Sequence, residues 1–155
     1  MSEKKENSSE HSHTYADKNI GTTDDTNNKG VGLVLCCMDH RFINHTIEFL
    51  KNDTSVKAYD YIILSGASLG YNSNNECWKN TFLEHIDIAI KSHNIVKIMV
   101  IDHEDCGAYK LHYKDIIDDP DLEEEYHYIN MLEFKKNIKK LYPYLPVFTH
   151  LLKLT

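Results

Sequence analysis

Three short apolar runs constrain this chain more than any other feature of it: VGLVLCC (31–37), YDYIILSG (59–66) and IVKIMVIDH (95–103). Each reads as a strand buried on both faces. Between them the apolar residues fall at helical spacing. FINHTIEFLKND (42–53) puts Phe42, Ile43, Thr46, Ile47 and Leu50 on one face. SNNECWKNTFLEHIDIAIKSHN (73–94) does the same with Trp78, Phe82, Leu83, Ile86, Ala89 and Ile90. LPVFTHLLKL (145–154) reads as a final strand. Strands alternating with helices make βαβ units and a parallel sheet. Right-handed crossovers then place helices on both faces. The expected fold class is α/β: a doubly wound, mainly parallel sheet of order 2-1-3-4 or similar, flanked by helices.

Two further segments read as helix. CGAYKLHYKDII (106–117) follows the third strand. DDPDLEEEYHYINMLEFKKNIKKLYP (118–143) is the clearest helix in the chain. Asp119 suits its N-cap and Pro120 its first position. Asp121, Glu123, Glu124 and Glu125 fill its first turns, and Lys135, Lys136, Lys139 and Lys140 its last, as the helix dipole favours. GASLG (66–70) reads as a turn needing small residues, because it lacks the lysine of a P-loop and the spacing of a dinucleotide fingerprint. Residues 1–29 hold almost nothing apolar and are expected to form a disordered tail, with His11 and His13 solvated. Residues 30–155 are left as a single α/β domain.

The net charge of −7 and the lack of a basic stripe argue against nucleic-acid binding. No apolar run is long enough to span a bilayer. The N-terminus has neither a signal-peptide core nor an Arg-rich presequence, so the expected location is the cytoplasm. Four cysteines (Cys36, Cys37, Cys77, Cys106) are too sparse for a disulfide framework and are expected to be free or bound to metal. Cys77, beside Trp78, reads as a packing residue.

Order 2-1-3 makes the first and third strands neighbours at the switch point, where ligands of such sheets bind. Their carboxyl ends are CMDHR (37–41) and DHEDCGA (102–108). His103 and Cys106 stand three apart, so a turn from strand to helix aims both at one point. With Cys37 they make a Cys2His set, and zinc with three such ligands and one open position is the catalytic arrangement. Extended geometry would send Cys37, Asp39 and Arg41 one way and Cys36, Met38 and His40 the other. Asp39 can then accept a hydrogen bond from metal-bound water while Arg41 grips it in a bidentate pair. His40, His45 and His112 are conceivable proton shuttles, but each reads more simply as a surface or packing histidine.

The pair of motifs, C-x-D-x-R after a first strand and H-x-x-C-G after a third, resembles the β-class carbonic anhydrases over residues 31 to 112. The resemblance implies zinc (Zn2+) on Cys37, His103 and Cys106, and Asp39 with Arg41 as the catalytic dyad. It implies reversible hydration of carbon dioxide to bicarbonate through zinc-bound hydroxide, in a homodimer or higher homo-oligomer. In some members the aspartate takes the fourth zinc position, which makes Asp39 a possible fourth ligand in a closed state. Where the family often has Arg-Asn-Ala-Gly after the second strand, this chain has Ile63, Leu64, Ser65 and Gly66. The same site would serve hydrolysis of carbon disulfide or carbonyl sulfide, or a non-catalytic zinc-binding protein. The Asp39–Arg41 pair speaks against the latter, since purely structural zinc prefers four closed ligands. A thiol redox role for Cys36 and Cys37 lacks the Cys-x-x-Cys spacing.

Overall fold

Alternate residues of the two central strands decide the layering. Strand β1 (Val31–Cys36) sends Leu33 and Leu35 to one face and Val34 and Cys36 to the other. Strand β3 (Lys97–His103) divides Ile98 and Val100 from Met99 and Ile101 in the same way. This is a computed structural model, and it describes residues 29–154. Strands β2 (Ala58–Ile63) and β4 (Val147–Leu152) pair outside the central two. The sheet runs β2-β1-β3-β4 with every pair parallel, the order expected from the sequence.

One face is covered by α3 (Glu76–His93) and α5 (Pro120–Leu141), which bury Phe82, Ile86, Phe134 and Ile138 against Leu33, Leu35, Ile98 and Val100. The other is covered by α1 (Ile43–Lys51), with Leu50 and Phe49 over Val34, Cys36, Met99 and Ile101. Burying apolar surface at about 25 cal/mol per Å2 is the main force holding these layers together. Among the described residues no helix is long and apolar enough to cross a membrane.

Two readings of secondary structure need correction. GASLG does turn at Gly66 and Ala67, whose φ angles are 75° and 43°. At Ser68, however, it enters a short helix, α2 (Ser68–Asn72). Its start is fixed by Asp102, which accepts the Ser68 N–H at 3.0 Å and its Oγ–H at 2.6 Å. The helix predicted over 106–117 is α4 (Gly107–His112) followed by a 3-10 turn (Lys114–Ile116). Tyr113 breaks it, with its ring stacked on Tyr126 at 4.3 Å and its hydroxyl accepting from Asn130 at 3.1 Å.

Cys77 is exposed, not packed, and Trp78 is 38% exposed. Both lie in the first turn of α3, and that helix buries its first side chain only at Phe82. The tail predicted over residues 1–29, with His11 and His13, lies outside the described residues except for Lys29.

Helix α5 begins as the sequence requires, with Pro120 in its first turn and the Asp119 carboxylate accepting the Leu122 N–H at 3.0 Å. Asp119→Ala is expected to lose about 1 kcal/mol of stability in urea denaturation. An unchanged midpoint would mean that the cap contributes nothing.

Candidate metal centre

Strand β1 ends at Cys36, and the chain then bends out of the sheet. The Phe42 N–H donates to the Asp39 carbonyl at 3.1 Å, closing the turn that leads into α1. Alternation holds for the adjacent cysteines: Cys36 packs under α1, while Cys37 is half-buried among the residues of the opposite face. Burial and the neighbouring Cys37 push the Cys36 thiol up to about 11. On the other side of the switch point β3 ends at His103, and Cys106 caps α4. Asp105 between them has φ 54°, a left-handed conformation that aspartate tolerates better than most residues.

These ends bring Cys37, His103 and Cys106 together. Their ligand atoms lie within 4.8 Å of one another, and the three residues could hold a metal ion. His103 is held on both sides. Its Nδ1 lies 2.8 Å from the Glu104 carbonyl, and Phe42 stacks on the ring with centroids 4.0 Å apart. Its Nε2 is buried and has no hydrogen-bond partner. An imidazole that spends Nδ1–H on a carbonyl presents the Nε2 lone pair to a metal. The Cys37 thiol is lowered by its hydrogen bond with Cys106, against burial, with help from backbone N–H groups including Gly66 at 3.3 Å. The same contact and burial raise Cys106. Two close thiols, one prone to ionise, and a buried bare nitrogen form a donor set suited to a soft or borderline cation.

Asp39 and Arg41 meet through the turn and not, as extended alternation would have it, along a strand. Arg41 donates from Nε to Asp39 Oδ1 at 3.1 Å, from Nη2 to Oδ2 at 2.7 Å, and from its backbone to Oδ1 at 3.0 Å. The guanidinium holds the Asp39 carboxyl well below the usual carboxylate range. Asp39 Oδ2 stands 3.9 Å from the bare Nε2 of His103, so the carboxylate lies beside the ligand set. A cavity of about 290 Å3 opens here, lined by Cys37, Asp39, Arg41 and Cys106 with Met38 and Ala108. His40, expected to turn away, lines its mouth: the ring is in water, with Nδ1 3.9 Å from Asp39 Oδ1. His45 and His112 lie on the surface.

Sequence reasoning placed Asp105 in the second polar cluster with His103 and Cys106 but assigned it no role. Arg41 Nη1 donates to its Oδ2 at 2.7 Å and Nη2 to its carbonyl at 2.9 Å, while Lys110 takes the other carboxylate oxygen. Arg41 therefore clips the turn after β1 to the turn after β3. The signal was present only as an acid inside the His-x-x-Cys turn. A larger cavity, about 520 Å3, lies behind that turn and touches none of the three candidate ligands.

Among known proteins, two rickettsial chains resemble this one. An uncharacterized protein of Rickettsia bellii (strain RML369-C) is 34% identical over 131 residues, 83% of this chain and 80% of that one. Uncharacterized protein RC0076 of Rickettsia conorii (strain ATCC VR-613 / Malish 7) is 31% identical over 131 residues, 83% of this chain and 70% of its own. No solved structure matches the chain. Residues 27–147 match a protein family described as "Putative carbonic anhydrase". That span covers both turns and every residue of the cluster just described, and on it the chain belongs to this carbonic anhydrase family.

Proposed function

We propose that the chain is a zinc-dependent carbonate dehydratase of the β class, interconverting carbon dioxide and bicarbonate. The observation that carries the proposal is the convergence of Cys37, His103 and Cys106 within 4.8 Å, beside a carboxylate already gripped by Arg41. Zinc on those three residues would supply a Lewis acid that lowers the pKa of bound water toward neutrality.

The chain's own residues do the rest. Asp39 is acceptor-only when ionised, so it takes a hydrogen bond from the nucleophilic water and turns a lone pair toward the substrate. Arg41 keeps that carboxylate charged and in place, and its guanidinium favours the bicarbonate anion as it forms. Met38 and Ala108 give the cavity an apolar side for an uncharged substrate. His103 is fixed by the Glu104 carbonyl and Phe42 and cannot swing out of the ligand set.

The family reading also carries a homodimer or larger assembly. Exposed Tyr61 and Ile63 on edge strand β2, with Met38 at the cavity, support it. A cytoplasmic location is supported by the four cysteines, all described and all free.

Stopped-flow hydration of carbon dioxide by zinc-loaded protein, from about pH 7 to 9, tests the proposal. Stoichiometric zinc and hydration are expected. Activity absent at neutrality but rising in alkali would identify Asp39 as a fourth ligand that must leave. Protein that cannot be loaded with zinc, or that holds zinc and is inert at every pH, would overturn the assignment.

A further inference from the structure

Behind the turn that carries His103 and Cys106 lie three buried ionisable side chains that the proposed chemistry leaves unused. Asp102, His127 and Glu123 are 1%, 1% and 5% exposed. Asp102 accepts from the Ser68 N–H and Oγ–H and from the Tyr109 hydroxyl at 2.7 Å, and its Oδ2 lies 2.9 Å from Nδ1 of His127. The other ring nitrogen, Nε2, is buried without a hydrogen-bond partner, 3.5 Å from Oε1 of Glu123. That same Oε1 accepts the backbone N–H of Cys106 at 2.8 Å. Carboxylate, imidazole and carboxylate thus lie in sequence behind the turn, and the last of them bonds the amide of a candidate ligand.

Dipole compensation does not explain this placement. The exposed Asp121 and Glu125 serve the positive end of α5 from water, and Glu124 pairs with Lys153 on the surface at 2.6 Å. Glu123 alone of these acids turns inward, and burying a carboxylate is costly unless its oxygens are used. What it gains is the N–H of Cys106, which precedes α4 and has no helical partner. An acid three residues into a helix often reaches back to that N–H as half of a capping box. Here the acid comes from a different helix, with the ring of His127 packed behind it.

We propose that Glu123 is a positioning residue of the metal centre. It fixes the Cys106 backbone and so aims that sulfur at the point shared with Cys37 and His103. The inference rests on reading those three residues as a metal set. Outer-shell partners of metal ligands typically contribute about 10–100-fold in affinity.

The test compares Glu123→Asp and Glu123→Gln with wild type in the full chain. Zinc affinity is measured against a competing chelator, and the sulfur-to-metal charge-transfer band after Co2+ substitution. Aspartate keeps the charge but draws the acceptor back by one methylene. Glutamine keeps an acceptor oxygen in place without the charge. Glu123→Asp is expected to bind zinc about tenfold or more weakly with an altered cobalt band, and Glu123→Gln to stay near wild type. A role through charge alone gives the opposite order and overturns the proposal, as does equal affinity in all three proteins. Wild type that takes up no zinc is a separate result and removes the metal reading itself.

Discussion

Asp39→Asn is expected to hold zinc as wild type does and to hydrate carbon dioxide ~10²–10⁴-fold more slowly, the usual contribution of a positioned acid–base group. The substitution is nearly isosteric and touches no member of the Cys37–His103–Cys106 set. Arg41 stays in place because Asp105 holds it independently through Oδ2 and the carbonyl. What changes is the chemistry presented to the cavity. A carboxylate offers two acceptor oxygens, whereas asparagine offers one and adds two donors. Arg41 takes the remaining oxygen, and an N–H then faces the water that a carboxylate would have oriented. Elemental analysis for zinc and stopped-flow hydration on one sample separate the two effects. Turnover equal to wild type would remove Asp39 from the mechanism.

Asp102→Ala is expected to cost about 3–5 kcal/mol, because it strands several buried donors at about 1–3 kcal/mol each. Asp102 receives Ser68 twice and Tyr109 once, and faces His127, so one deletion strips a partner from α2, α4 and α5 together. Against a typical total stability of roughly 5–15 kcal/mol this is a large fraction. Urea denaturation at neutral pH measures it directly. A loss below about 1 kcal/mol would show that water or rearranged neighbours satisfy those donors without the carboxylate.

The strands and the three candidate ligands were legible in the sequence because each rests on a short-range pattern, whereas the sheet order was an assumption about crossover sense that the structure bears out. Apolar runs marked the strands, and the His-x-x-Cys spacing marked a strand-to-helix turn. The adjacent cysteines divided as a period of two demands. That period failed at Asp39, where a backbone hydrogen bond bends the chain toward α1. Pairing with Arg41 survived because residues two apart also meet across a turn. What stayed hidden depends on partners far along the chain. Ser68 starts a helix because of Asp102, 34 residues away. Glu123 looked like one of several dipole acids, and only the packing of α5 against the turn shows that it faces inward. Asp105 sat within the motif, yet nothing local said that it would reach back 64 residues to Arg41.

That reach has a consequence for how an ion would enter. The guanidinium staples together the two loops that carry the sulfurs and the imidazole, and four paired strands stand beneath them. Small metallo-domains that fold only around their ion spend much of its binding free energy on ordering the chain. Here the staple and the sheet beneath it would do part of that ordering, leaving more of an ion's binding free energy for retention.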